Sequence, residues 1–183
     1  MRTMTPRLLD FLKRTGMTAR AGSSGNWIAL GGNRWIDRKT AKETEGVTRE
    51  IIRRGYSIVT GGAEGVDHVV MDACLKYRIR PGRLRVFLPS TIEEQYRHYR
   101  KLEGAKRAKE LFGTLLKLKN ADPKAIKENR RTFPGYREAA NFRNSLILEK
   151  ASGAIIIKPK ASRGSMDALD RIRNMGLPHI VFE

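Results

Sequence analysis

The sequence has little cysteine, little histidine and no long apolar run, and each shortage excludes a kind of protein. One cysteine, Cys74, lies in an apolar helical pattern, so no disulfide can form within the chain and we expect a reducing, cytoplasmic location. The three histidines, His68, His98 and His179, lack the spacing of zinc ligands. No apolar run approaches the length of a membrane span, so we expect no membrane partner. We identify no metal site and no cofactor motif.

Acidic residues are also scarce relative to basic ones. The 183 residues include 19 Asp and Glu against 37 Lys and Arg, a formal net charge of +18. Such an excess favours polyanionic partners, such as nucleotides or nucleic acids. The hydrophobic fraction of 40% is enough for a core. The length indicates one domain, or one domain with an appendage. We predict an N-terminal helix and linker over 1–25 and a main domain over 26–183.

Short apolar segments alternate with amphipathic ones along the main domain. The predicted strands are 27–30, 56–59, 84–88, 154–157 and 180–182. Strands that alternate with helices form right-handed βαβ units and a parallel sheet covered on both faces. The sequence therefore predicts an α/β fold, a Rossmann-like, doubly wound sheet of five parallel strands in the order 3-2-1-4-5.

A basic helical insert, 91–132, interrupts this alternation between the third and fourth strands. Its apolar residues recur at helical spacing, which predicts a long helix or a helical pair, and Asp122-Pro123 is expected to start another short helix. The insert contains twelve basic and six acidic residues. It is either a solvated helix face or a basic arm over a binding site, with Tyr96, Tyr99 or Phe133 available to stack on bases.

Glycine-rich turns follow the first two predicted strands. Gly31-Gly32-Asn33-Arg34 comes after the first strand, and 60–67 follows the second and opens a helix. Backbone N–H groups in such turns, and at a helix N-terminus, can bind phosphate, although each pattern alone also fits an ordinary turn. Asp67 would either cap its helix or orient a ligand hydroxyl. Neither turn has the three spaced glycines of a dinucleotide-binding site or the Gly-Lys-Ser/Thr ending of a Walker A loop.

A third group of polar residues flanks the fourth strand. Arg143 and Asn144 lie on the helix before it, and Arg163-Gly164-Ser165 opens the helix after it. Arg143 fits either a ligand contact or a surface salt bridge, and Ser165 fits either a ligand contact or a helix cap. All three groups should lie at the carboxyl edge of the sheet, where the strand order reverses between the first and fourth strands. Ligands of doubly wound sheets bind at that position.

These segments resemble the SLOG superfamily, the Rossmann-like group that holds DprA/Smf, the LOG phosphoribohydrolases and YspA-type proteins. The run 60–67 is similar to the superfamily's second-strand motif, and Arg143-Asn144 is similar to a pair in DprA and YspA-type members. Arg163-Gly164-Ser165 resembles the glycine-Ser/Thr turn, and 32–37 resembles the Gly-Ser-Arg turn of the YspA-like branch. The resemblance is closest to the YspA-like and DprA-like branches.

The resemblance implies three different functions. DprA-like members bind single-stranded DNA at this edge, LOG members cleave the N-glycosidic bond of nucleoside monophosphates, and YspA-like members are inferred to bind nucleotide-derived ligands. LOG enzymes carry paired glutamates where this chain has Asp167 and Ala168, so we lean against an enzyme. We expect a binding protein for a nucleotide-type small molecule, with single-stranded nucleic acid binding and phosphoribohydrolase activity as alternatives. The sequence leaves open whether the chain forms a homodimer.

Specific roles follow for the predicted site. Backbone groups of 61–66 and of Gly164-Ser165 would hold phosphate. Arg34, Arg143 and Arg163 would neutralise it. The side chains expected to orient the ligand are Asn33, Asp67 and Asn144. We expect Arg143→Ala to weaken ligand binding strongly with little change in melting temperature. The predicted ligand-binding residues are Gly31, Gly32, Asn33, Arg34, Gly61, Gly62, Ala63, Glu64, Gly65, Val66, Asp67, Arg143, Asn144, Arg163, Gly164 and Ser165.

Overall fold

Helices and strands alternate along the chain. The computed structural model describes residues 4–14, 26–158 and 163–183. In chain order the elements are α1 Met4–Arg14, β1 Trp27–Gly32, α2 Arg38–Arg53, β2 Ser57–Thr60, α3 Val66–Lys76, β3 Leu84–Phe87, α4 Ile92–Glu103, α5 Ala105–Ala121, β4 Ile126–Lys127, α6 Tyr136–Lys150, β5 Gly153–Ile157, α7 Arg163–Asn174 and β6 His179–Phe182. Of the helices in these ranges, none combines the length and apolar character needed to cross a membrane.

The strands form one parallel sheet in the order β4-β3-β2-β1-β5-β6. The predicted fourth and fifth strands are β5 and β6, so the predicted order and the Rossmann-like α/β class are confirmed. The chain leaves β1 towards β2 and later returns on its other side as β5, where Leu30 pairs with Ile155 and Gly32 with Ile157. The strand order therefore reverses between β1 and β5, which opens a crevice at their carboxyl ends.

The sheet has one strand more than predicted, because β4 lies inside the segment expected to be helical. Val86 N–H donates to Ala125 O over 2.8 Å, and Leu88 N–H donates to Lys127 O over 2.9 Å. These bonds satisfy one backbone donor in β3 and one just after it, which would otherwise lie at an open sheet edge. Asp122 ends α5, and its carboxylate accepts from the N–H groups of Lys124 and Gly82. The short helix expected at Asp122-Pro123 is therefore wrong.

The insert begins with the predicted helical pair. Thr91 and Glu94 form a reciprocal capping box at the start of α4. Gly104, at φ +84°, separates α4 from α5 because few other residues adopt that backbone conformation. Leu111, Leu115 and other apolar residues of α5 join the main core. The opposite side of α5 exposes basic side chains, so the insert both completes the core and presents charge.

The core lies on both faces of the sheet, and alternate residues of β1 point into each. Ile28 and Leu30 pack with α1, α2, α3 and the insert. Trp27 and Ala29 pack on the face covered by α6 and α7. Burial on both faces is typical of a central parallel strand. The linker expected after α1 lies outside the described residues, and the division into 1–25 and 26–183 stays a prediction.

Candidate functional site at the carboxyl edge of the sheet

A cavity of about 530 Å³ opens at the carboxyl ends of β1, β2 and β5. Every residue of the predicted site lines this cavity except Gly62, Gly65 and Val66. Gly62 backs onto Leu88 and Val86, and Val66 is fully buried. The fold therefore brings together three segments that are far apart in the sequence, as predicted from the topology.

The floor of the cavity, which we define as Asn33, Gly61, Asp67 and Arg143, is held together by internal contacts. Ala63 N–H donates to Asp67 Oδ2 over 3.3 Å. The Val66 N–H donates to Asn33 O over 3.1 Å. The donors of Ala63 and Val66 thus already have partners within the protein. This corrects the expectation that these two N–H groups bind phosphate, because the carboxylate of Asp67 occupies the Ala63 donor and the carbonyl of Asn33 occupies the Val66 donor.

Asp67 is an almost fully buried carboxylate, 8% exposed. Burial raises the pKa of Asp67, while the guanidinium of Arg143 and the N–H of Ala63 oppose that rise. Desolvation has a larger effect on this pKa than the backbone donors have. The carboxylate turns back towards its own loop, so the alternative in which Asp67 orients a ligand hydroxyl loses support.

Arg143 connects α6 to the end of β2. Its Nη1 donates to Gly61 O and lies 3.7 Å from Asp67 Oδ2. The residue is only 9% exposed, so the surface salt bridge considered from the sequence is wrong. A Cβ at Gly61 would lie 2.6 Å from Arg143 Cζ and 2.7 Å from Asp67 Oδ2, so any other residue here would push against both side chains. The glycine therefore makes room for an internal arginine.

Asn33 closes the turn after β1. Its Nδ2 donates to Trp35 O over 2.6 Å, and its Oδ1 accepts from Trp35 N–H over 3.2 Å. Only 4% of Asn33 is exposed, so its side chain shapes the turn instead of orienting a ligand. The neighbouring Gly32 packs directly on the backbone of Ile157, which leaves no space for a Cβ.

The rim of the cavity, which we define as Arg34, Trp35, Arg137 and Arg163, has the opposite character. Arg137 and Arg163 are exposed, and Arg34 is half-buried with its guanidinium carbon 5.6 Å from the ring centre of Tyr99. Trp35 is 56% exposed. The rim therefore presents positive charge and an aromatic ring to solvent, as needed to bind an anion that carries bases.

Other predicted residues line the walls between floor and rim. Asn144 is half-buried on α6, and Ser165 is buried in the first turn of α7. Asp167 and Ala168 also line the cavity. Of the residues expected to stack on bases, Tyr99 lines the cavity, while Tyr96 packs on Phe112 and Phe133 on Phe142.

Sequence reasoning missed several residues that line the cavity. Arg137 and Asn141 precede Asn144 on α6 at intervals of four and three residues, so they share one helix face. That spacing could have identified them. Trp35 was included in the glycine turn without a role of its own. In the described parts of the chain, no group of His, Cys, Asp and Glu side chains is arranged to hold a metal ion.

One protein family and two solved structures of DNA processing protein A match the chain. Residues 15–178 match the model of a family described as DNA recombination-mediator protein A. The solved structure of DNA processing protein A from Helicobacter pylori, reported for its single-stranded DNA binding mode, has a TM-score of 0.64 and 20% identity over 85% of this chain and 64% of that chain. DNA processing protein A from Streptococcus pneumoniae has a TM-score of 0.62 and 19% identity over 94% of this chain and 52% of that chain.

These structural matches show the fold. The chain spans about half to two thirds of the length of the two solved proteins. No curated protein sequence matches the chain.

Proposed function

The chain belongs to the DNA recombination-mediator protein A family, within the superfamily that its motifs resemble, and from this premise we propose that it binds single-stranded DNA across the rim of the cavity. The observation that carries the proposal is the separation of charge between floor and rim. Asp67 lies in the floor beside its own arginine, while the exposed arginines lie at the rim. A phosphate in the floor would meet a carboxylate, whereas a strand across the rim would meet cations.

The proposal replaces the interpretation favoured by the sequence, a small nucleotide ligand held by the glycine loop. That interpretation needed free N–H donors in the loop, and those of Ala63 and Val66 have internal partners. Single-stranded DNA binding, the alternative, needs only accessible cations and stacking surfaces. It is also the binding mode reported for the Helicobacter pylori protein, of which this chain covers 64%.

Arginines at the rim suit a phosphate backbone. A guanidinium offers a planar fork of donors that matches a phosphate group. Arg137 starts the cavity-facing side of α6, and Arg163 starts α7 on the other side of β5. Arg107 of α5 lies against Trp35 of the rim, and Lys106 and Lys109 are exposed on the same helix. A strand that follows this surface would place successive phosphates beside cations from three helices.

Fluorescence anisotropy with a labelled oligothymidine tests the proposal directly. We expect the wild-type chain to bind the single strand, and the double variant Arg137→Ala/Arg163→Ala to bind at least tenfold more weakly, since charged contacts contribute about 1.5–3 kcal/mol each. Arg80→Ala is the matched control, because Arg80 is exposed at the opposite edge of the sheet, before β3.

Competition decides between the two ligand classes. Unlabelled oligothymidine should displace the labelled strand, whereas AMP at the same phosphate concentration should not. Equal displacement by AMP would restore the nucleotide interpretation. Equal affinities for the rim variant and the Arg80→Ala control would contradict the position of the proposed site.

A further inference from the structure

Trp35 is an unusually exposed aromatic residue at the edge of the cavity. It is 56% exposed, whereas the other tryptophan, Trp27, is 5% exposed and packs in the core. An exposed aromatic face at the edge of a cavity is available to stack on a flat ligand. The backbone of Trp35 is fixed on both sides by hydrogen bonds to the Asn33 side chain. The indole is therefore presented from a defined turn that directly follows β1.

Arg107 covers part of this indole. Its guanidinium carbon lies 5.4 Å from the centre of the Trp35 ring. Its Nη1 lies 3.5 Å from Glu103 Oε2, and the Glu103 side chain is only 3% exposed. A buried carboxylate thus holds Arg107 from one side, while the indole contacts it on another. Because more than half of Trp35 stays exposed despite this contact, the ring retains accessible surface.

We infer that Trp35 is a stacking subsite for one nucleobase of the bound strand, with Arg107 placed to contact an adjacent phosphate. This inference rests on the proposed function, since it assigns one base to a surface that the strand crosses. An indole face stacks on any base, so the subsite contributes affinity with little sequence preference. A guanidinium beside the ring supplies a cation–π contact and a charge for the phosphate.

The surroundings of Trp35 favour a nucleobase over other flat apolar ligands. Arg34 is its chain neighbour, Arg137 and Arg163 line the same cavity, and Arg107 touches the ring itself. An uncharged aromatic ligand would gain nothing from four arginines. A nucleobase brings its own phosphates on both sides, so ring and cations are used together.

Two single strands of equal length, an oligothymidine and an abasic strand, test the subsite. We expect Trp35→Ala to bind an oligothymidine about tenfold more weakly than the wild-type chain, because it loses one stacked base. The same variant should bind an abasic strand of equal length as the wild-type chain does. Trp35→Phe keeps an aromatic face and should lose less affinity for the oligothymidine than Trp35→Ala.

Tryptophan fluorescence gives a second, independent readout. In a Trp27→Phe variant, Trp35 is the only tryptophan, and oligothymidine should quench its emission more strongly than the abasic strand does. The Trp35→Ala affinities do not depend on whether the Trp27→Phe variant folds.

The outcomes separate the subsite from the proposed function. If Trp35→Ala binds both strands like the wild-type chain, the stacking subsite is overturned and single-stranded DNA binding stands. If the wild-type chain binds neither strand, the proposed function falls and the subsite falls with it.

Discussion

The floor and the rim of the cavity use arginine in opposite ways. In the floor, Arg143 is buried, donates to Gly61 O and pairs with Asp67. At the rim, Arg137 and Arg163 are exposed on two helices that flank β5. The same side chain therefore stabilises the fold in one place and presents charge in the other. The difference lies in burial, which makes an internal partner for a charge necessary.

The glycine-rich turns of this chain make room for other parts of the protein. Gly61 resembles a phosphate-binding glycine, yet its missing Cβ makes room for Arg143. Gly32 likewise makes room for the backbone of β5. The strongest sequence motifs of this chain thus contribute to the architecture of the crevice, and the ligand-facing groups lie beside them.

Removal of Arg143 should give the largest effect on folding. Arg143→Ala leaves the Asp67 carboxylate buried without its cation, which typically costs about 3–5 kcal/mol. We expect a decrease of this size in the free energy of unfolding measured by urea titration. This revises the small change in melting temperature expected from the sequence. Arg137→Ala, the control at the rim, should change the same quantity by less than about 0.5 kcal/mol. Equal stability of the two variants would remove the distinction between floor and rim.

A methyl group at Gly61 should also decrease the free energy of unfolding, but by less than the removal of Arg143 does. Gly61→Ala pushes a Cβ against Arg143 and Asp67, and overpacking of this kind costs about 1–3 kcal/mol. Gly46→Ala is a matched control within α2, where a Cβ meets nothing within 4 Å. There the substitution should stabilise the helix by about 0.5–1 kcal/mol. Thermal or urea unfolding of both variants shows whether each substitution lowers or raises the stability of the fold. A Gly61→Ala variant as stable as the wild-type chain would contradict the close approach of Arg143.

The smallest expected effect concerns His68, on the helix that follows the glycine loop. Its Nε2 lies 3.1 Å from Thr114 Oγ1 of α5. Burial lowers the pKa of His68, but Glu64, Asp72 and Glu110 together outweigh it and raise that pKa above 6.5. The protonated His68 therefore stabilises the folded protein. This contribution is complete below pH 6.5 and is lost as the pH rises through the raised pKa of His68.

Urea midpoints measured between about pH 5 and 8 check this pH dependence. The wild-type chain should lose stability relative to His68→Gln as the pH rises. His179→Gln, which changes an exposed histidine, is the control and should follow the wild-type curve. A gain of wild-type stability with rising pH would reverse the assigned sign.

The sequence predicted the sheet better than it predicted the roles of the site residues. The strands followed from apolar segments such as 154–157, because buried parallel strands have a clear pattern, and their order followed from the alternation with helices. The two residues of β4 carry no such pattern, and their pairing depends on the open edge of β3. Topology correctly placed the turns at one edge of the sheet. It could not show that Asp67 would occupy the loop's own donors, since that depends on side-chain packing.

The rim was predictable in part. Arg34 and Arg163 were identified from their places after β1 and at the start of α7. Arg137 shares a helix face with Asn144 and could have been found from that spacing. Trp35 could not be identified from the sequence as exposed, because an aromatic residue beside a strand is more often buried.

The salt dependence of single-stranded DNA binding tests the central claim most directly. Each phosphate that the protein neutralises on a single strand contributes about 0.7 to the slope of log affinity against log salt concentration. Arg137→Ala/Arg163→Ala should flatten that slope by about 0.7 for each phosphate that the variant no longer neutralises, and should leave the urea midpoint unchanged. Arg80→Ala should leave both quantities unchanged. A rim variant that keeps the wild-type slope, or that binds more weakly only because it unfolds, would contradict the assignment of binding to the rim and folding to the floor.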